Sequence, residues 1–336
     1  MSEHDKKIAQ NISGSECAAT SGTGNAIINN GTINVFSYES QDKRVKETLD
    51  NPEETATDDN LPCPYRGLYH FSPNDAEYFF GRYVFIEKLF EATQTRNFIP
   101  VLGASGSGKS SVVLAGLIPK LEQEQKGHWK FTHFRPGSDP FHALALALVP
   151  LYRPELDATS EIIQARKLAK SLSNNQDSED NLPLSDVFAK IQQNNFNHRI
   201  LLIADQFEEI YTQCSDHTVG DHFLDCLLAI FQSSDSRASS STVLVITMRV
   251  DFLANALAYP RFADMLQNPD VKLGAMSRKK LKQVIEKPAK KLGVTFEAGL
   301  VERILNDILN DVEDEPGNFL QRGREMRKPT CFLAVG

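Results

Sequence analysis

Residues 103 to 110 read Gly103-Ala104-Ser105-Gly106-Ser107-Gly108-Lys109-Ser110, which fits the pattern G-x-x-x-x-G-K-[ST]. Gly103, Gly106 and Gly108 suit a chain that turns tightly and brings its backbone up to an anion with no Cβ in the way. The main-chain N–H groups around Ser105 and Ser107 then converge into an anion nest, and the following helix adds its positive end. Lys109 supplies a full charge for β- and γ-phosphates. Ser110 offers a hydroxyl to Mg²⁺, and Ser111 follows it into the expected binding set. The chemistry implied is the gripping of a nucleoside triphosphate, ATP or ADP, together with Mg²⁺. The competing reading is a Gly/Ser-rich loop with no ligand.

Average residue usage yields such a string in roughly one chain in a hundred of this length, so context has to decide. A short apolar strand, Phe98 to Leu102, precedes the loop. A helix from Lys109 to about Gln123 follows it, with Val112, Val113, Leu117 and Leu121 on one side. Strand, glycine loop, helix is the arrangement that the pattern requires.

A second chemical signal is the apolar run Ile200 to Ala204 ending in Asp205. In open α/β sheets ligands lie beyond the carboxyl ends of strands, so Asp205 is placed to hold Mg²⁺; a helix N-cap is the plainer reading. Glu208 and Glu209 follow within a turn, either as the group that orients or deprotonates water or as an exposed helix face. Gln206 stands where many ATPases place a second acid, and an amide cannot act as a base. Slow hydrolysis is expected. The run Thr242 to Thr247 closes on Arg249, which reads as a γ-phosphate sensor or as an ion pair with Asp251. Gly81-Arg82 lines an adenine pocket or forms a helix-start turn with a surface arginine. The basic run Arg278, Lys279, Lys280 and Lys282 reads first as a solvated helix face. The eight histidines form no H-E-x-x-H or triad-like local pattern.

These groups need a parallel sheet to carry them. Strands at Phe98–Leu102, Lys130–Phe134, Arg199–Ala204 and Thr242–Thr247 alternate with helices at about Tyr83–Thr95, Pro140–Leu148, 155–195 and Asp221–Phe231, which predicts an α/β fold with helices on both faces. Beyond Leu273 the pattern is helical, with helices at Arg278 to about Glu286, broken or kinked by Pro288, and at about Ala298–Val312. Residues 1–60 are polar, with a short hairpin expected at 26–36 around Asn30-Gly31 that needs a partner chain or domain. Residues 61–272 form the nucleotide-binding domain, 273–318 a helical extension, and 319–336 a basic tail resembling a truncation or an out-of-frame end. A net charge of −8 argues against nucleic-acid binding as the main activity. Five dispersed cysteines, no signal peptide and no long apolar run point to a soluble cytoplasmic protein with reduced thiols and no membrane span.

The series Cys63-Pro-Tyr-Arg-Gly-Leu68, Phe79-Phe-Gly-Arg82, Gly103 to Ser110, Phe134-Arg-Pro-Gly137, Asp205-Gln-Phe-Glu-Glu209, Thr247-Met-Arg-Val-Asp-Phe252 and Ile285-Glu-Lys-Pro-Ala289 resembles the novel STAND NTPases of the first type over about residues 62–318. STAND proteins are signal-transduction ATPases with numerous domains. The resemblance implies an AAA+-like fold with a helical and then a winged-helix extension, an adenine contact by Gly81-Arg82, and a sensor role for Arg249. It also implies a switch from ADP to ATP with nucleotide-dependent homo-oligomerisation, an N-terminal effector or adaptor region that binds a protein partner, and C-terminal repeats. Many relatives are bacterial, with proposed roles in signalling or defence. The winged helix and repeats are not expected within this sequence, which departs from the family after Asn318. Two other readings stand beside the switch: a P-loop kinase-like enzyme acting on a small molecule, and a truncated nucleotide-binding fragment. GTP preference is not expected, because no N-K-x-D string follows the last strand.

Overall fold

Aliphatic and β-branched runs become strands when both of their faces are covered, and three of the five sheet strands are such runs. The structure, a computed structural model, describes residues 17–18, 27–28, 63–174, 182–232, 241–267 and 271–314. A two-residue antiparallel pair, β1 (Cys17–Ala18) with β2 (Ile27–Ile28), comes first. The expected turn at Asn30-Gly31 lies outside the described residues. The sheet strands are β3 (Phe98–Gly103), β4 (Trp129–Phe134), β5 (Arg199–Ala204), β6 (Thr242–Arg249) and β7 (Val271–Leu273), in the order β4-β5-β6-β3-β7. The β3–β7 and β5–β6 ladders are parallel, with Val101 opposite Val271 and Leu202 opposite Leu244. Every residue of β3 is buried, as are all but the first of β5 and all but the last of β6.

The helices are α1 (Tyr83–Thr95), α2 (Lys109–Ser111), α3 (Ile118–Glu124), α4 (Pro140–Tyr152), α5 (Ala158–Ser173), α6 (Leu184–Asn194), α7 (Glu209–Thr212), α8 (His217–Gln232), α9 (Leu253–Ala258), α10 (Pro260–Leu266), α11 (Arg278–Lys291) and α12 (Leu300–Asp314). Between α2 and α3 the turn Val112–Leu117 is π-helical and wholly buried. By compactness the chain divides into two units. One holds Lys130–Ile246 and Tyr259–Met265 together with Met1–Tyr38. The other holds Glu39–Trp129, Thr247–Ala258 and Leu266–Gly336. The first has an aromatic core in which Phe223 meets Phe141 edge-on at 5.3 Å and Phe134 at 6.3 Å. The second is built on Leu89, Ile99, Val113, Leu117 and Leu121, all fully buried.

Three expectations about elements are corrected, and one strand is added. The helix expected to stop at Leu148 runs through Pro150 to Tyr152. A proline inside a helix costs about 3 kcal/mol. Here buried Leu144, Ala145, Leu148 and Val149 offset that cost, and Asn194 Nδ2 donates to the terminal carbonyls of Leu151 and Tyr152 at 3.3 and 2.9 Å. The helix expected to end near Glu286 passes buried Pro288 and closes only at Lys291. Its stop signal is Gly293, with φ +75°: the Gly293 and Val294 N–H groups reach back to Lys290 and Ala289 carbonyls at 3.1 and 3.0 Å. Helix α8 starts at His217 rather than Asp221, because Asp216 caps it by accepting the Thr218 N–H at 2.9 Å. In addition, β7 is a strand that was not among those expected, and it ends where the helical pattern begins. Its three residues alternate buried, exposed and buried, too short a run for periodicity to detect.

Candidate functional site

The phosphate loop leaves β3 at Gly103 and enters α2 at Lys109. Gly106 and Gly108 have φ of +70° and +87°, and an added Cβ at either would meet nothing within 4 Å, so the requirement for glycine there is conformational. At Gly103 it is steric: a Cβ would lie 2.7 Å from Ser107 Oγ and 3.0 Å from the Leu273 carbonyl. Lys109 is 8% exposed, and its Nζ donates to the carbonyls of Gly103 at 3.1 Å and Ala104 at 2.8 Å. The ammonium is therefore folded over the loop that it serves. Ser107 Oγ is buried with no hydrogen-bond partner among the described residues. Ser111 turns away from the loop and accepts the Phe71 N–H at 3.1 Å, tying the incoming segment to the start of the helix.

Arg82 sits beside the same loop. The expectation of a surface arginine fails: the residue is 3% exposed. Its Nη2 donates to the Ser107 carbonyl at 2.8 Å and its Nη1 to the Gly274 carbonyl at 2.7 Å. Burial pushes its pKa below the usual arginine value. Gly81, with φ +86°, is closely covered, and a Cβ there would lie 2.7 Å from Val284 Cγ2. Arg249 ends β6 and pairs with Asp251, Nη2 to Oδ2 at 2.6 Å, with its guanidinium over the Phe252 ring. Thr247 is wholly buried two residues earlier.

The acidic strand end belongs to the other unit. Asp205 is 1% exposed and its N–H donates to the Phe134 carbonyl at 2.9 Å, so β4 and β5 fix it. Its Oδ2 accepts from Arg135 Nε and Nη2, each at 3.1 Å, with His133 Nε2 at 3.8 Å. Glu208 is buried, at 8% exposure, and Glu209 accepts the Gly137 N–H at 3.1 Å, so neither lies on an exposed helix face. Burial raises the Glu209 pKa, against a lowering by that N–H and by Arg135. Gln206 has φ +53°, a left-handed conformation unusual for a residue other than glycine. It swings the chain so that Phe207 is buried against Phe262.

These residues match a family along most of their length. The model for Novel STAND NTPase 1 matches residues 64–320. The chain belongs to the novel STAND NTPase 1 family. This STAND NTPase is thus a nucleotide-binding protein of P-loop type. The comparison with curated proteins returned no match. Among solved structures it is similar to a Walker-type ATPase of Pyrococcus abyssi, with 13% identity and a TM-score of 0.44, covering 73% of this chain and 65% of that one. It is also similar to the ORC2 protein of Aeropyrum pernix in its ADP form, with 14% identity, a TM-score of 0.42, and coverage of 78% and 62%. A third is a HORMA:CdnC:Trip13 complex of E. coli MS115-1, with 11% identity, a TM-score of 0.41, and coverage of 71% and 77%.

Sequence reasoning gave no role to Arg135, although the same rule that singled out Asp205 applies to it: both stand directly after the last residue of a sheet strand. The carbonyls of Ser107 and Gly274 carry no side-chain signal and were not legible as partners of Arg82. No helix among the described residues is long and apolar enough to cross a membrane.

Proposed function

We propose that the chain is an ATP–Mg²⁺ switch that hydrolyses its nucleotide slowly and uses the ADP and ATP states to control assembly and signalling in a multidomain protein, with bacterial defence as one setting. The observation that carries this reading is the buried Lys109 ammonium held against a loop with two left-handed glycines at a helix start. The donor set fits the ligand. Backbone N–H groups and one ammonium suit a polyphosphate. Mg²⁺ takes one or two protein ligands and completes its shell with phosphate and water, so one hydroxyl and one carboxylate suffice.

Ser110 and Asp205 are the proposed Mg²⁺ ligands, and when bound the ion neutralises charge on the β- and γ-phosphate oxygens. Lys109 leaves the Gly103 and Ala104 carbonyls for phosphate oxygens. Arg249 acts as the phosphate sensor. Its pair with Asp251 has a side chain that is 55% exposed on the acid side, and exposed pairs are worth about 0–1 kcal/mol, so exchange onto a phosphate costs little. Glu208 or Glu209 orients or deprotonates the attacking water. Titration calorimetry with MgATP tests the reading. Lys109→Ala is expected to weaken binding roughly ten- to hundredfold, the scale of a charged hydrogen bond. Equal binding by wild type and Lys109→Ala, or none by either, sinks it. Turnover by Glu208→Gln and Glu209→Gln then identifies the base, whose loss abolishes hydrolysis while leaving binding intact.

A further inference from the structure

Arg82 supports a reading that rests on nucleotide binding and changes how it is achieved. The family resemblance assigns Gly81-Arg82 to the adenine side. The guanidinium is instead spent on two main-chain carbonyls, those of Ser107 and Gly274, at 2.8 and 2.7 Å. Its third nitrogen, Nε, is buried with no hydrogen-bond partner, and no carboxylate pairs with the group among the described residues. The Phe85 ring lies 5.4 Å from Cζ. Gly81 fixes the point from which the side chain departs, because its φ is +86° and Val284 Cγ2 and Met276 Sδ would stand 2.7 and 3.3 Å from any Cβ.

The Ser107 carbonyl matters because of what shares its peptide plane. In a trans peptide the C=O of one residue and the N–H of the next point in opposite directions. Ser107 lies between Gly106 and Gly108, both with positive φ, and glycine presents little barrier to rotating the whole plane. Holding the Ser107 carbonyl toward Arg82 therefore holds the Gly108 N–H away from it, on the face that offers donors to an anion. The second bond ties the same guanidinium to the connector between β7 and α11.

We propose that Arg82 is a positioning residue that locks the Ser107–Gly108 peptide for phosphate, so that its effect on nucleotide affinity does not depend on the base. The probe is inorganic magnesium tripolyphosphate, which has the phosphates and no adenine, titrated beside MgATP into the full chain. Arg82→Ala is expected to weaken both by the same factor, about tenfold or more, as for loss of charged hydrogen bonds. Arg82→Lys keeps the charge but cannot span two carbonyls with a rigid fork, and is expected to leave most of the loss in place. Thermal unfolding and the titration stoichiometry restrict the comparison to folded protein, and Arg82→Lys serves alone if the alanine variant does not fold. A larger loss for ATP than for tripolyphosphate, full recovery by lysine, or wild-type tripolyphosphate binding too weak to measure overturns the proposal. If wild type fails to bind MgATP, the nucleotide reading itself falls. If wild type binds and both variants match it, only the role of Arg82 falls.

Discussion

Glu209 shows how a single residue's surroundings make a measurable claim. Burial disfavours its charged form, so its folded pKa lies above the ordinary 4.5, with the Gly137 N–H and Arg135 offsetting part of the effect. A carboxyl with a raised folded pKa binds more protons folded than unfolded between the two values, so its contribution to stability is present below 4.5 and is lost as pH rises through the folded pKa. Glu209→Gln removes that charge while keeping an oxygen that can accept from Gly137. The variant is expected to unfold at a higher temperature than wild type at neutral pH, with the gap closing as pH falls toward the ordinary carboxyl range. A gap independent of pH, measured by thermal unfolding across that range, defeats the assignment. The identities of Asp205, Glu208 and Glu209 as a group were legible from the strand that precedes them. Their burial and their pairing with Arg135 and Gly137 were not, since a partner 70 residues away in Arg135 leaves no local trace beside Asp205.

Among the elements, legibility followed the length of the apolar run. Strands β3, β5 and β6 were readable within one or two residues, because each is a run of at least six residues whose burial comes from largely continuous apolar composition, and β4 was readable from its alternating Trp129, Phe131 and flanking Phe134. Strand β7 was missed because a ladder to β3 decides it. The α4 end was misplaced because buried side chains and the remote Asn194 carry the helix past Pro150, and the α11 end because the helix continues through buried Pro288 to the stop at Gly293. The π-helical turn Val112–Leu117 was likewise invisible, and it sits directly after the phosphate loop. Its Gly116 faces α1, where a Cβ would lie 2.6 Å from Ile86 Cγ1 and 2.8 Å from Cδ1. Gly116→Ala is expected to destabilise by about 1–3 kcal/mol through overpacking. Adding Ile86→Ala vacates the same space, so the double variant should lose less than the two single losses combined, with a coupling of about 0.5–3 kcal/mol. Strict additivity in denaturant midpoints shows that the glycine is not there to admit Ile86.

For the whole molecule the governing quantity is charge. The chain carries a net −8, so two copies repel one another at neutral pH, and bound nucleotide adds further negative charge that Mg²⁺ offsets in part. Assembly of the proposed ATP state therefore has to be driven by surface buried on association, against an electrostatic cost that salt screens. This fixes the sign of a salt effect. Sedimentation velocity with Mg–ADP is expected to show a monomer at low and at physiological salt. With a nonhydrolysable ATP analogue it is expected to show a larger species, and raising salt within that range should strengthen it. Lys109→Ala should stay monomeric with either nucleotide. Equal masses with ADP and with the analogue remove the switch while leaving nucleotide binding intact. Assembly that salt dissolves shows instead that complementary charged patches hold the copies together despite the net repulsion. The basic run of α11 is the first place to look for such a patch. Arg278 and Lys282 already pair there with Glu302 of α12 at 2.7 and 3.3 Å, so those two cations would have to be shared with, or surrendered to, a neighbouring copy.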